Sequence, residues 1–380
     1  MARRRILLSL AFGASLWASA ALALPALRPL HGSIAGSSRV AVFGDDRRTK
    51  LSGPESALAK KIGILSSRRS GAVCTAFCAS PDIVVTASHC LFGTAVSAKP
   101  ALTKIQFEVG GEVSSLAGLP TNSVGQHVLS GTRNLSVTPP IAAADDWAVA
   151  RLAQPICRDG GLAFTDKSHS DIAAIAHAGG VYEVAIHRDI SEPGLMLSRP
   201  CGLPRTFTSA DAATISRDFK NPDAVIFHDC DTGGGSSGSP LLINGQNGPE
   251  VIAINVGTYV LSRETISNTG HHGKETSEAI ANTGVSERQF AQAVEVLHSR
   301  DLLSTQREIR ALEAQLAEFG FYHRAHRGQL KPDLEIAIKQ FETAAGLPST
   351  GLIRRALTSE IRRWANTSAI GDARLLPRRP

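Results

Sequence analysis

Between Gly71 and Ile254 the apolar residues come in runs of three or four, among them Ile83-Val84-Val85, Ala148-Val149-Ala150 and Leu241-Leu242-Ile243. Clusters of Gly, Pro and Asn part these runs, and no amphipathic helical pattern intervenes. Such runs suit strands of about 4–8 residues and are too short to build a helical face, so this stretch is expected to be an all-β barrel or sandwich. Asn244-Gly245 followed by Gln246-Asn247-Gly248 predicts a hairpin turn ahead of Val251-Ile252-Ala253-Ile254.

After Ser286 the period changes. Phe290, Val294 and Leu297 recur at helical spacing, as do Ile309, Leu312, Leu316 and Phe319. A further helix is expected from Asp333 through Ala337, Ile338 and Phe341, and another through Leu357, Ile361 and Trp364. From about Thr305 the chain reads as a compact three-helix unit.

The first residues have a separate character. Arg3, Arg4 and Arg5 precede an uncharged apolar stretch, Ile6 to Leu24, that contains Ala21-Leu22-Ala23, the layout of a secretory signal peptide over residues 1–23. An uncleaved membrane anchor is the alternative, since 19 residues nearly span a bilayer. Residues 24–70, rich in Pro, Gly, Ser and paired charges, read as an extension or pro-segment. All six cysteines, Cys74, Cys78, Cys90, Cys157, Cys201 and Cys230, follow the signal, and an even set in an exported chain reads as a disulfide framework. Most of their spacings are too wide for a zinc ribbon, so no metal and no cofactor is expected.

Charge follows the same divisions. The net charge of +6 over 380 residues does not by itself call for nucleic acid, and no such partner is expected. Residues 302–380 hold 13 Lys and Arg against 8 Asp and Glu, whereas residues 24–301 carry a net −2. The basicity belongs to the signal and the tail.

Three short stretches carry the chemistry: Thr86-Ala87-Ser88-His89-Cys90, Asp145-Asp146-Trp147-Ala148-Val149, and Gly233-Gly234-Gly235-Ser236-Ser237-Gly238-Ser239-Pro240. A serine hydroxyl becomes a competent nucleophile when an imidazole accepts its proton, and the imidazole needs a carboxylate to fix its tautomer and stabilise its cation. His89, Asp146 and Ser237 supply one of each. Backbone amides of Gly235 and Ser237, in a loop free of bulky side chains, are candidates to receive an oxyanion.

These motifs, in this order, make the chain from about Gly71 to His298 resemble a chymotrypsin-fold serine protease of the bacterial trypsin-like and glutamyl-endopeptidase-like branches. Residues 86–90 meet the Thr-Ala-Ala-His-Cys pattern with Ser88 for one alanine. Asp146-Trp147-Ala148-Val149 is similar to the family's Asp motif, and Gly235-Ser236-Ser237-Gly238-Ser239-Pro240 to its nucleophile motif. The resemblance implies two six-stranded antiparallel β-barrels with His89, Asp146 and Ser237 at their seam. It pairs Cys74 with Cys90 and Cys201 with Cys230 and leaves Cys78 to Cys157, with an exchange of Cys74 and Cys78 still open.

It also bears on activation and specificity. Ser236 stands where vertebrate members carry an Asp that binds a new N-terminus, so activation by that ion pair is not expected. Asp231, six residues before Ser237, is where trypsin-like members place the acid that selects Arg or Lys; a loop-capping role is the alternative. Asn255 stands where glutamyl-specific members use a histidine, which argues against Glu selectivity, and the segment through Gly257 is expected to pair with extended substrate backbone. His271 and His272 read as loop residues.

From about Arg307 to Arg363 the tail resembles the three-helix peptidoglycan-binding domain of cell-wall hydrolases. The likeness rests on Ile309, Leu312 and Leu316, on Gly320-Phe321-Tyr322 and Gly328, and on Ala337-Ile338, Phe341 and Gly346-Leu347-Pro348. Glu313 and Glu342 replace its usual glutamines, Arg327 an Asp and Leu334 a Thr. The expected organisation is thus a signal over 1–23, an extension over 24–70, a protease domain over 71–300, a helical domain over 301–366 and a basic tail over 367–380. The expected protein is an exported serine endopeptidase of the periplasm, envelope or exterior, with a polypeptide substrate and a peptidoglycan or other anionic polymer as partner. A catalytically silent wall-binding scaffold is the alternative. A peptidoglycan hydrolase would need a clustered zinc site or a Cys/His pair that the motifs do not supply.

Overall fold

The computed structural model describes residues 26–35, 41–67, 71, 73–94, 105–117, 127–191, 194–203, 206–266, 272–299, 301–303, 305–328, 332–347 and 349–370. The expected signal segment and His271 lie outside the described residues. Strands are β1 (Ala26–Ala35), β2 (Arg48–Lys50), β3 (Ile62–Ser67), β4 (Val73–Ser80), β5 (Ile83–Thr86), β6 (Ile105–Val109), β7 (Glu112–Ser115), β8 (Val128–Ser130) and β9 (Ala148–Arg151). They continue with β10 (Ala163–Phe164), β11 (Tyr182–His187), β12 (Gly194–Ser198), β13 (Val225–His228), β14 (Pro240–Gly245), β15 (Gly248–Ile266) and β16 (His272–Ser286). Helices are α1 (Ser88–Phe92), α2 (His169–His177), α3 (Ser209–Asp218), α4 (Ala291–Ser299), α5 (Gln306–Glu318), α6 (Pro332–Ala344) and α7 (Ala356–Ile370).

The fold is mostly β, with two curled antiparallel sheets and a helical C-terminal region. The first sheet runs β7-β6-β3-β4-β5-β9-β8. An antiparallel bridge from Leu116 to Leu152 brings the β7 end back to β9, which curls the sheet toward closure. The second runs β13-β16-β15-β14-β11-β12-β2, with β1 and β10 also pairing β15. The sheets have seven and nine strands where six each were expected. In the second, β11 to β16 make the expected six; β2 and β1 come from the N-terminal stretch, and β10 adds a short parallel pairing at Glu250 and Val251. The first sheet begins at β3, ahead of Gly71, because Ile62, Gly63, Ile64 and Leu65 pair with β4.

The expected hairpin forms at Gln246-Asn247, where Gly245 faces Gly248. Phe77, Phe107, Val149 and Leu242 share one core, onto which α4 packs through Val294 and Leu297. The six cysteines form Cys74–Cys90, Cys78–Cys157 and Cys201–Cys230. Closing loops of these lengths removes unfolded-state freedom worth roughly 3–4.5 kcal/mol each.

In the tail, α5, α6 and α7 bury Leu312, Leu316, Ile338, Phe341 and Leu357 in a core of their own. Thr305 caps α5 in a capping box with Glu308. The two acids that replace glutamines are structural: Glu313 accepts the Gly328 amide at 2.8 Å, and Glu342 accepts Thr350 N, Thr350 Oγ1 and Gly351 N within 2.8 Å. The helix α7 runs to Ile370, past the expected domain end at 366. The tail meets the β region where Lys339 Nζ donates to Gly131 O at 3.1 Å. Among the described residues no helix is long and apolar enough to cross a membrane.

Candidate active site

His89 lies in the first turn of α1, immediately after β5, and its side chain is about nine-tenths buried. Asp146, buried, ends a single 3-10 turn over Ala143–Asp145 and lies two residues before β9. Because β5 pairs with β9 through Thr86 and Ala148, the two residues emerge side by side from one end of the first sheet. The carboxylate grips the histidine twice: Oδ1 accepts the His89 backbone N–H at 2.9 Å and Oδ2 pairs with Nδ1 at 2.7 Å. With Nδ1 donating, Nε2 is the acceptor nitrogen. Burial works against protonating the ring, but the Asp146 charge and hydrogen bond outweigh it and hold its pKa above the ordinary histidine value.

The glycine loop carrying Ser237 is stitched to both sheets. From the first, Thr75 N donates to Ser237 O at 2.9 Å and Thr75 Oγ1 to Gly235 O at 2.8 Å. From the second, Asn255 O accepts Gly238 N at 2.7 Å and Asn255 N donates to Ser239 O at 2.8 Å. Ser237 therefore sits at the seam. Gly235 has φ +104° and Gly238 φ +84°, a region that side chains disfavour. A Cβ on Gly238 would stand 2.2 Å from Thr86 Oγ1, so the loop and β5 touch at van der Waals limits. Among the described residues, Gly235 N and Ser237 N meet no protein acceptor, which leaves both amides able to receive an oxyanion. His89 Nε2 lies 3.8 Å from Cys90 Sγ, and no hydrogen bond from it to Ser237 Oγ is formed among the described residues.

Residues 74–254 match the family described as a trypsin-like peptidase domain. That match spans just under half of the chain. Residues 305–353 match the family described as a putative peptidoglycan binding domain. A solved structure titled as Glu endopeptidase in complex with MPD is similar to this chain, with 17% identity and a TM-score of 0.42, covering 64% of this chain and 93% of that one. No curated protein matches.

The expected substrate-side residues have mixed placements. Asp231 is fully buried and already occupied: its Oδ2 accepts Arg47 N at 2.8 Å and Arg47 Nε at 3.0 Å, and its Oδ1 accepts Phe43 N at 3.2 Å. A carboxylate so engaged is not open to an incoming Arg or Lys, and the loop-anchoring alternative describes it better. Asn255 turns its side-chain amide toward the nucleophile loop, with Nδ2 3.1 Å from Ser236 Oγ. On the β14 side of β15, β14 pairs as far as Ile254, the backbone of Asn255 bonds Gly238 N and Ser239 O, and β1 begins at Thr258, so Val256–Gly257 is a short stretch between two occupied ones.

Sequence reasoning passed over Glu183, His228, Arg47 and Arg48. Glu183, buried on β11, accepts Ser239 Oγ at 2.5 Å, and burial raises its pKa to about 8. His228, buried on β13, has its pKa lowered to about 3 by burial and stays neutral. Nothing in their local sequence marks either one. The run Asp45-Asp46-Arg47-Arg48 belonged to the paired charges of the stretch read as an extension or pro-segment.

Proposed function

We propose that the protein is an exported serine endopeptidase that cleaves polypeptides through an acyl-enzyme, with its tail held to peptidoglycan. Ser237 Oγ attacks the scissile carbonyl carbon while its proton passes to His89 Nε2. Asp146 keeps the ring oriented and stabilises the imidazolium, and the Gly235 and Ser237 amides receive the negative oxygen. Collapse of the intermediate breaks the C–N bond, the leaving amine takes the proton from His89, and Ser237 remains acylated. Water, deprotonated by the same imidazole, then releases the acid and restores the hydroxyl.

The observation that carries this reading is the two-point hold of Asp146 on His89 beside a glycine loop that presents Ser237 at the seam of the two sheets. Substrate backbone adds to β15 at Val256–Gly257, the stretch between the nucleophile loop's bonds to Asn255 and the start of β1. The disulfides and the peptidoglycan-binding-like tail support an envelope or secreted location. Hydrolysis of unfolded casein by the purified chain, absent in Ser237→Ala, tests the chemistry, and co-sedimentation with purified peptidoglycan tests the tail. A chain that binds peptidoglycan but cleaves nothing is the silent scaffold instead.

A further inference from the structure

The arm from Ala41 to Lys50 precedes the first sheet, yet its contacts converge on the nucleophile loop. Ala41 and Thr232 exchange two backbone hydrogen bonds at 3.0 Å. Arg47 holds Asp231 through its backbone N–H and its guanidinium, which also reaches Pro200 O at 2.8 Å and Asp229 O. The neighbouring Arg48, almost wholly buried, donates to Asp189 Oδ2 at 2.8 Å and to His187 Nδ1 at 3.1 Å. Asp189 in turn lies against Gly233, where a Cβ would stand 1.9 Å from its Oδ1. Beside it, Arg188 N holds Gly234 O at 2.7 Å. The loop from Gly233 to Ser237 is thus pinned at its entry by Asp231 and along its flank by Asp189, and consecutive arginines of the arm hold both carboxylates.

We propose that Arg47 is a positioning residue for the peptidase reaction, and that the arm is a working part of the active enzyme rather than a dispensable leader. This rests on the peptidase reading above. The physical argument is desolvation. Asp231 has no exposed surface, and a buried carboxylate without a cation drives its segment toward water. Thr232 and Gly233 follow it directly, so a loop that hydrates Asp231 carries the Gly235 and Ser237 amides away from the place where the oxyanion forms. The internal guanidinium does for this loop what an ammonium could not, because its fork bonds a carboxylate and two carbonyls at once. Cleavage that released the chain through Lys50 would remove this support and lower activity.

The test uses the full chain with p-nitrophenyl acetate, a small ester that needs acyl transfer and little pocket binding. Arg47→Ala is expected to lower kcat by roughly a hundredfold, the size of a lost oxyanion donor, with KM nearly unchanged. Ethylguanidine added to that variant is expected to restore at least tenfold of the rate, while leaving the wild type unaffected; rescue of this kind marks a missing guanidinium, not a general loss of structure. Should Arg47→Ala not fold, Arg47→Gly and Arg47→Lys are read in the same way, the lysine variant retaining charge but losing the fork and therefore still slowed.

A folded Arg47→Ala with kcat within twofold of wild type overturns the proposal, and so does a slowed variant that no guanidinium rescues. If the wild type itself turns over no ester, the peptidase reading falls. The clamp is then judged by hydrogen exchange at the amides of residues 233–237, which must quicken in Arg47→Ala if it holds the loop.

Discussion

The Asp146 carboxylate holds His89 by main chain and ring at once, Oδ1 at 2.9 Å from the backbone nitrogen and Oδ2 at 2.7 Å from Nδ1. Two bonds to one residue fix both the position and the tilt of the imidazole. The same carboxylate keeps the imidazolium more stable than an equally buried ring would otherwise allow.

Catalysis through His89 requires its neutral form. Its raised pKa places the acidic limb of kcat/KM above the ordinary histidine value of about 6.5. Asp146→Asn removes the charge and leaves the burial, so the limb is expected to move below that value while kcat falls by roughly ten-thousandfold. A pH profile of the two proteins checks both.

Asp231 is expected to support all substrates alike. With Arg47 on it at 3.0 Å, Asp231→Asn lowers the rate across a peptide library without exchanging one preferred side chain for another. A preference for Arg or Lys that disappears in Asp231→Asn alone would restore the pocket-acid reading.

Two glycines with positive φ should behave differently. Gly238→Ala, with φ +84° and a Cβ 2.2 Å from Thr86 Oγ1, is expected to cost roughly 3 kcal/mol or more and to abolish activity. Gly248→Ala, with φ +119° and nothing within 4 Å, meets strain alone, about 1–2 kcal/mol. Denaturant unfolding separates them.

Much of this site was legible because its chemistry is local. His89, Asp146 and Ser237 each sit in a run of five to eight residues whose types the chemistry demands. The β-to-helical change after Ser286 was visible in spacing, since α4 and α5 keep the period that β15 lacks, but α2 and α3, short helices inside the stretch expected to be all-β, were missed. What the residues could not disclose is long-range burial. Asp231 reads as a pocket acid until Arg47, 184 positions earlier, is seen on it. Glu183 goes unmarked in the sequence, because nothing near it in the chain announces Ser239. Residues 24–70 read as an extension or pro-segment because two of their strands, β1 and β2, find partners only in the distant β15 and β12, and only β3 pairs with its neighbour in the chain, β4.

Glu183 gives a stability signature of the opposite sign to an ordinary paired acid. Its pKa is raised to about 8 from about 4.5, so folding holds a proton on it; that contribution is complete below pH 4.5 and is lost as pH rises through 8. Glu183→Gln, which mimics the protonated acid, is expected to match the wild type near pH 4.5 and to exceed it by more than about 1 kcal/mol above pH 8. Melting temperatures of both proteins across that range decide it.

In the tail, Glu342 gathers Thr350 N, Thr350 Oγ1 and Gly351 N in a buried turn. Glu342→Ala leaves those donors without an acceptor and is expected to destabilise the tail by about 2–4 kcal/mol, seen as early loss of helical circular dichroism. The triad lies outside that core, so ester hydrolysis should persist.

The central claim is that Ser237 is a nucleophile activated by His89. Peptide mass mapping after treatment with diisopropyl fluorophosphate tests it most directly. The account predicts one adduct, on Ser237, formed by the wild type and not by His89→Ala. No adduct on the folded wild type, or one on another residue, would contradict it.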